Sequence, residues 1–369
     1  MLGGGQLGRM LIQEAIHYDV RIHCMDPAAD APCRHLVHQF TPGQLNDFDA
    51  VYRFGQGLDV LTIEIEHVNV DALKQLAAEG VKVYPPPAFL EMVKDKGLQK
   101  QFYRDHGIPT APFTLIQNKA ELTAMFEQPC VQKMRTGGYD GKGVQVLRSA
   151  ADLDKAFDCP SVIEELVPFV KEIAILVARN ASGQMVTFPL VEMEFNPEAN
   201  LVEFLFSPAQ VDESVAAQAQ SIARQIVEAA DFVGLLAVEL FVLADGRVLV
   251  NEMAPRPHNS GHHTIEANIT SQYEQHLRAI LNLPLGHTDA LCPAVMVNLL
   301  GEKGHQGPVY YEGIEEMMQH RGVYVHLYGK AETRDFRKMG HVTCIAPDLD
   351  HAKAMARHAM ATIKVKAIV

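Results

Sequence analysis

The chain has no tryptophan, and its positive charge is in deficit: 32 Lys plus Arg stand against 45 Asp plus Glu, a formal net charge of −13. That balance argues against a protein that coats polymeric nucleic acid. Only six cysteines occur in 369 residues, and none forms a C-x-x-C pair. This excludes a small disulfide scaffold and leaves the thiols as free side chains. The 17 histidines are scattered, with no H-x-x-x-H pair beside a third ligand at zinc spacing. No apolar run approaches the roughly 20 residues that span a bilayer, so no membrane role is expected. The opening MLGGGQLGRM lacks the apolar stretch of a secretory signal. These absences point to a cytoplasmic protein. Internal repeats and low-complexity tracts are missing as well. What remains is 48% apolar and 21% charged, which excludes a disordered chain or a collagen-like fibre. The length predicts two or three domains.

The first segment alternates strand and helix. Arg9 to Tyr18 reads as helix, Val20 to Met25 as strand, Val60 to Ile65 as strand, Val70 to Glu79 as helix and Val81 to Tyr84 as strand. That alternation implies a parallel sheet. Pro85, Pro86 and Pro87 then read as a linker, because proline continues neither element. One helix is expected from Leu90 to His106. Strands follow at Cys130–Lys133, Gly143–Leu147, Ser161–Leu166, Glu172–Arg179, Met185–Val191, Leu235–Val242 and Val248–Glu252, with helices at Ala151–Phe157 and Ser214–Phe232. The tail from about Pro293 holds short strands, basic residues at Lys330 to Lys338 and a last helix near Leu349 to Lys364.

Gly3, Gly5 and Gly8 fit G-x-G-x-x-G, with Asp26 eighteen positions after Gly8. Only Met1 and Leu2 precede the motif, where a strand is required. Three readings stand: a dinucleotide site, a tight structural turn, or a turn whose backbone faces another substrate. The segment KMRTGGYDGKGVQV, Lys133 to Val146, is more specific. Its four glycines lie between two strands, and Lys142 is followed by Gly143, so it is not a Walker A loop. It reads as a hairpin lid whose backbone N–H groups close over phosphate, with Lys133 meeting phosphate charge.

Glu239 sits inside the apolar strand LLAVELFVL, and Glu252 ends the strand VLVNE. A carboxylate in an apolar strand is costly unless it is paired or binds a cation. Two of them across a hairpin at Ala244–Asp245–Gly246 converge on one metal, and Asn251 adds a neutral oxygen. Oxygen donors suit magnesium, which usually also binds substrate phosphates. The polar loop that follows, with Arg256, His258, Asn259, Ser260 and His262, reads as a second-substrate site.

Five strings together resemble the ATP-grasp superfamily, and within it the 5-(carboxyamino)imidazole ribonucleotide synthases of purine biosynthesis. They are GGGQLGRM at Gly3–Met10, EIEHV at Glu64–Val68, RTGGYDGKG at Arg135–Gly143, NEMAPRPHNSGH at Asn251–His262, and YGK…RKMGH over Tyr328–His341. The resemblance implies a mixed α/β and α+β fold. A parallel-sheet pre-ATP-grasp domain would cover residues 1–90. A two-part ATP-grasp core would cover 91–290, its lid subdomain about 108–166, and a small C-terminal domain 291–369. It implies an ATP-dependent carbon–nitrogen ligase that carboxylates 5-aminoimidazole ribonucleotide with bicarbonate through carboxyphosphate. The expected cofactors are ATP and Mg²⁺, with Mn²⁺ in its place, and the expected assembly is a homodimer.

The resemblance also implies roles. Lys96, Lys133, Gly138, Tyr139, Asp140, Gly141, Lys142, Gly143 and Val144 would contact ATP. Glu164, Glu165, Leu166 and Val167 would form the adenine hinge, and Glu172 would hold the ribose. Glu239 and Glu252 would bind metal, accompanied by Asn251. Gln6, Leu7, Glu64, Asn259, Lys330, Arg337 and Lys338 would bind the ribonucleotide. Arg256, His262, Asp140 and Lys142 would surround the reacting centre. Asp140, His262 and released phosphate compete as acceptor of the amine proton. The resemblance implies a histidine near VEMEFNPEAN, a stretch that here has Phe195 and no histidine. The alternatives are another ATP-grasp ligase, such as a formate-dependent glycinamide ribonucleotide transformylase or a biotin carboxylase, and a Rossmann dinucleotide-binding protein.

Overall fold

Two residues stand in for the first strand. In the structure, a computed structural model that describes residues 1–138, 143–196 and 201–368, Leu2 makes parallel bridges to both Met25 and Ile63. Its N–H donates to Thr62 O at 2.9 Å, and its carbonyl accepts from Glu64 N at 2.7 Å. Leu2 thereby joins two parallel pairs into one sheet: β1 (His23–Asp26) with β2 (Gln39–Pro42), and β3 (Val60–Thr62) with β4 (Lys82–Tyr84). Helix α1 (Gln6–His17) covers one face, with Met10, Leu11 and Cys24 buried there. Helices α2 (Phe48–Gly55) and α3 (Val70–Ala78) cover the other, over Leu61, Leu73 and Leu76. The glycine turn thus opens α1 at the carboxyl ends of the strands, where parallel sheets place their ligands.

The three prolines do not make an open linker. Pro87 is the first residue of α4 (Pro87–Lys94), a position where its missing N–H costs nothing. The single helix expected over Leu90–His106 is two: α4, then α5 (Lys96–Asp105). Asp95 breaks them. It is extended at φ −120°, and its carboxylate accepts from Gly97 N–H at 2.7 Å and Leu98 N–H at 3.3 Å. Arg135, at the base of the glycine-rich loop, clamps the same carboxylate through Nε and Nη2, the latter at 2.6 Å.

Strands β5 (Phe113–Ile116), β6 (Cys130–Met134), β7 (Val144–Leu147) and β8 (Ser161–Glu165) form an antiparallel sheet in the order β5-β8-β6-β7. Its outer face is covered by α6 (Lys119–Met125) and a 3₁₀ turn, Ala150–Lys155, where a helix over Ala151–Phe157 was expected. The main sheet then runs through β9 (Phe169–Arg179), β10 (Met185–Thr187), β11 (Val191–Asn196) and β12 (Leu201–Ser207) to β13 (Gly234–Leu243) and β14 (Val248–Ala254). The strand expected at Met185–Val191 is broken into β10 and β11, because Pro189 has no N–H to give the ladder. Helix α7 (Glu213–Ala229) packs on β9, β13 and β14 through Ile222, Ile226, Ile175 and Leu236.

Beyond α8 (Thr264–Ala267) and α9 (Gln272–Ile280), the chain returns to the same sheet through β15 (Ala294–Leu300). After β16 (Gly307–Glu312) and α10 (Ile314–Met317) come β17 (Val323–Leu327), β18 (Glu332–Thr333) and β19 (Lys338–Ile345). The order is β14-β13-β9-β11-β12-β15-β19-β17, with β10 on β9, so the tail strands continue the central sheet. Helix α11 (Leu349–Thr362) seals them over Val295, Val297 and Val342, and β20 (Lys364–Ala367) pairs with β16.

Candidate active site

The β13–β14 hairpin sets the centre. Its register makes Glu239 and Glu252 Cα partners, with a bulge just after Glu239. The Glu239 side chain is 14% exposed and that of Glu252 45%, so the pair opens from the sheet into a cleft. Burial, then the charges of Glu252 and Glu172, push the Glu239 carboxyl up, while Lys338 acts in the opposite sense. Lys96 holds Glu252 well below the usual carboxylate range. Its Nζ lies 2.6 Å from Glu252 Oε2, and His258 Nε2 lies 3.6 Å from Glu239 Oε1. Two carboxylates this close ionise together only beside a cation. Among the described residues no group of three His, Cys, Asp or Glu makes a metal cluster. Glu239, Glu252 and the Asn251 amide could together offer a donor set that is all oxygen. It fits a hard divalent cation that completes its shell with phosphate and water.

Lys133 ends one turn of the same network. From β6 its Nζ donates to Asn251 Oδ1 at 2.9 Å and pairs with Glu164 Oε1 at 3.0 Å. Glu164 was expected in the adenine hinge through the resemblance. Its carboxylate is buried between Lys133 and Lys100, whose Nζ is 3.2 Å from Oε2. Burial opposes the Glu164 charge, and the two lysines hold its pKa down nonetheless. Glu165 ends β8, exposed and with its N–H bonded to Pro112 O, and Leu166 and Val167 follow on the connection into β9. Glu172, on β9, is pushed up to about 7 by burial, against Lys133. Gly138 leads into the lid, and Gly143 closes it by accepting from Met134 N–H at 2.8 Å, next to Val144 opposite Lys133. Tyr139, Asp140, Gly141 and Lys142 lie outside the described residues.

The glycine opening turns inward. Leu7 N–H donates to Glu64 Oε1 at 3.1 Å, and Gly4 N–H donates to Asp26 Oδ2 at 2.7 Å. A Cβ on Gly5 would meet Glu64 Oε1. The two carboxylates occupy the N–H groups where a dinucleotide pyrophosphate would sit, so that reading is overturned by charge. The N–H of Leu7, a residue expected to bind the ribonucleotide, is engaged by Glu64. Gln6, half-buried, opens α1 beside it. Burial raises the Glu64 carboxyl to about 7, and Arg256 and the Leu7 and Gly5 N–H groups favour its charge.

Arg256 Nε lies 2.8 Å from Glu66 Oε1, a partner not singled out in the sequence. Glu66 lies in the bend after β3, where no periodicity marks it. Asn259 has both amide atoms, Oδ1 and Nδ2, buried with no hydrogen-bond partner among the described residues. His262 is 1% exposed. Its Nδ1 takes hydrogen bonds from Tyr273 Oη and Gln272 Nε2, each at 3.0 Å, and burial drives its pKa well below the ordinary value. Gly261 lets this loop close onto Gln272, since a Cβ there would collide with Gln272 Oε1.

The basic tail arrives from β17 to β19. Lys330 Nζ donates to Lys338 O at 2.7 Å and lies 5.7 Å from the Tyr328 ring centroid. Arg337 Nη1 donates to Glu332 O at 2.6 Å on a more exposed loop. Arg9 of α1, also not anticipated, packs beside Gly329. Thus Glu239, Glu252, Asn251, Lys133, Lys96 and Glu164 converge on one cluster. Lys338 lies near enough to act on the Glu239 charge.

A four-stranded antiparallel sheet whose Lys133 meets Asn251, beside paired carboxylates on a second sheet, is the arrangement of an ATP-grasp ligase. Residues 1–94 match the ribonucleotide synthetase preATP-grasp domain, 101–273 the ATP-grasp domain, and 294–355 the phosphoribosylaminoimidazole carboxylase C-terminal domain. The N5-carboxyaminoimidazole ribonucleotide synthase of Synechococcus elongatus is 40% identical, over 93% of this chain and 88% of that protein. The crystal structure of N5-carboxyaminoimidazole ribonucleotide synthetase from Thermotoga maritima aligns with a TM-score of 0.92 at 40% identity, covering 100% of this chain and 98% of that one. The Aspergillus clavatus N5-carboxyaminoimidazole synthase, in complex with ADP and 5-aminoimidazole ribonucleotide, aligns at 0.89 and 30% identity, covering 98% and 96%. The chain belongs to the N5-carboxyaminoimidazole ribonucleotide synthase family.

Proposed function

We propose that this site carboxylates the exocyclic amine of 5-aminoimidazole ribonucleotide with bicarbonate, driven by ATP, and releases ADP and phosphate. The carrying observation is the meeting of two half-sites. The Lys133–Asn251–Glu252 cluster suits a metal-bound nucleotide phosphate. The loop that directly follows it presents Arg256 and the unpartnered Asn259 amide.

A bicarbonate oxygen attacks the γ-phosphorus, the bond to the β-phosphate oxygen breaks, and carboxyphosphate forms. Lys133 and Lys96 hold the phosphate chain in line and spread its charge. Magnesium, held by Glu239 and Glu252, supplies further positive charge to the phosphate oxygens when bound. Arg256 orients the carboxylate end. The amine nitrogen then attacks the carboxyl carbon, or CO₂ released from it, and the carbon–oxygen bond to phosphate breaks. With His262 Nδ1 already hydrogen-bonded to Gln272 and Tyr273, the amine proton goes to the departing phosphate. Water must be kept from carboxyphosphate, which hydrolyses readily. Lys330, Lys338 and Arg337, with Arg9 beside them, hold the 5′-phosphate.

The test is ADP release. It should require aminoimidazole ribonucleotide and bicarbonate together and fall to background when bicarbonate is removed. Stimulation by glycinamide ribonucleotide plus formate alone would assign the chain to the alternative ligase. We also propose a cytoplasmic homodimer, which supports itself on the family resemblance. A sedimentation mass near the single-chain 40.8 kDa would overturn the dimer.

A further inference from the structure

Lys100 lies one helical turn after Lys96 on α5 and is 2% exposed, yet no step of the reaction uses it. A buried ammonium is expensive unless it is closely paired and hydrogen-bonded. Lys100 is both: Nζ donates to Thr110 Oγ1 at 2.6 Å and pairs with Glu164 Oε2 at 3.2 Å. Thr110 Oγ1 in turn donates to Val250 O at 2.8 Å, two residues before Glu252. One side chain therefore ties together α5, β8 and β14, the elements that carry Lys96, Glu164 and Glu252.

We propose that Lys100 is a positioning residue for nucleotide phosphate, acting through Glu164 on Lys133. The charge count gives the reason. Glu164 is shared, Oε1 on Lys133 and Oε2 on Lys100. Two cations on one anion leave a net positive charge for the phosphates. Without Lys100, Glu164 and Lys133 form a neutral one-to-one pair. The carboxylate then draws Lys133 away from its Asn251 contact and from ATP. Burial brings Lys100 down to about 8, against the pull of Glu164, so it stays protonated at neutral pH. The inference rests on Lys133 being the phosphate lysine.

The experiment is a double-mutant cycle in the full-length enzyme, read as KM for ATP, KM for aminoimidazole ribonucleotide, kcat and ADP affinity by calorimetry. Lys100→Met should raise the ATP KM and weaken ADP binding by about tenfold, with the ribonucleotide KM unchanged. In a Glu164→Gln background the same substitution should change neither by more than about twofold, because the group it acts through is neutral. Equal effects in both backgrounds, or an unchanged ATP KM in the single variant, overturn the proposal. Should Lys100→Met fail to fold, the comparison of Lys100→Met/Glu164→Gln with Glu164→Gln still decides it: a further large loss of ADP affinity means Lys100 does not act through Glu164. Lys133→Met is the separate control. If it leaves ADP affinity intact, the phosphate role of Lys133 fails, whatever Lys100 does.

Discussion

Glu239 and Glu252 stand opposite one another as Cα partners across the β13–β14 hairpin, with Lys96 Nζ 2.6 Å from one and His258 Nε2 3.6 Å from the other. The carboxylate pair is thus contacted by Lys96 and His258 at the place proposed for magnesium. Glu252→Gln should lower kcat by about three orders of magnitude, with thermal stability close to wild type because the residue opens to the cleft. Near-normal turnover in saturating magnesium would remove the metal role.

Asn259 carries two buried amide atoms with no partner among the described residues. A polar group left unmade costs about 1–3 kcal/mol. Asn259→Leu should therefore leave the melting temperature unchanged or higher while raising the ribonucleotide KM about tenfold. A variant that loses stability and keeps its KM would show the amide to be structural.

Lys330 bridges to the Lys338 carbonyl and faces the Tyr328 ring. Lys330→Ala should raise the ribonucleotide KM far more than the ATP KM, and the wild-type preference should weaken with added salt. Equal increases in both KM values would put the lysine elsewhere.

Glu64 has its carboxyl raised by burial from 4.5 to about 7 in the folded protein. Between these values the native state binds more protons than the unfolded one, so its contribution to stability is lost as pH rises through 7. Gln cannot titrate. The difference in melting temperature between Glu64→Gln and wild type should move in favour of the variant from pH 5 to pH 8. A difference that stays flat with pH would mean that Glu64 is not so perturbed.

Much of the scaffold was legible. The apolar strands around Glu239 and Glu252 and the α7 stripe carry strong periodicity, and their thirteen-residue spacing already implied the hairpin. The break at Asp95 was not, because the same residues read as one continuous helix until Arg135, forty positions away, claims the Asp95 carboxylate. The interruption at Pro189 was readable in principle, since a missing N–H is a local fact. The short strands β2 and β5 hold four residues each, too few for a period to show.

The site divides in the same way. Carboxylates in apolar strands and glycines between strands are anomalies of local chemistry, visible without a fold, and they pointed to a cation and a phosphate lid. Lys100 shows the opposite case. In KGLQKQFYRD it reads as one more solvated basic residue, and only packing of α5 against β8 buries it on Glu164. Lys96 and Glu252 are 156 residues apart, and Arg256 meets Glu66 across two sheets. Periodicity, capping and turn chemistry act over a few residues and are written in the order of the chain. Which charges neutralise one another depends on desolvation and distance, and those come into being when the sheets pack.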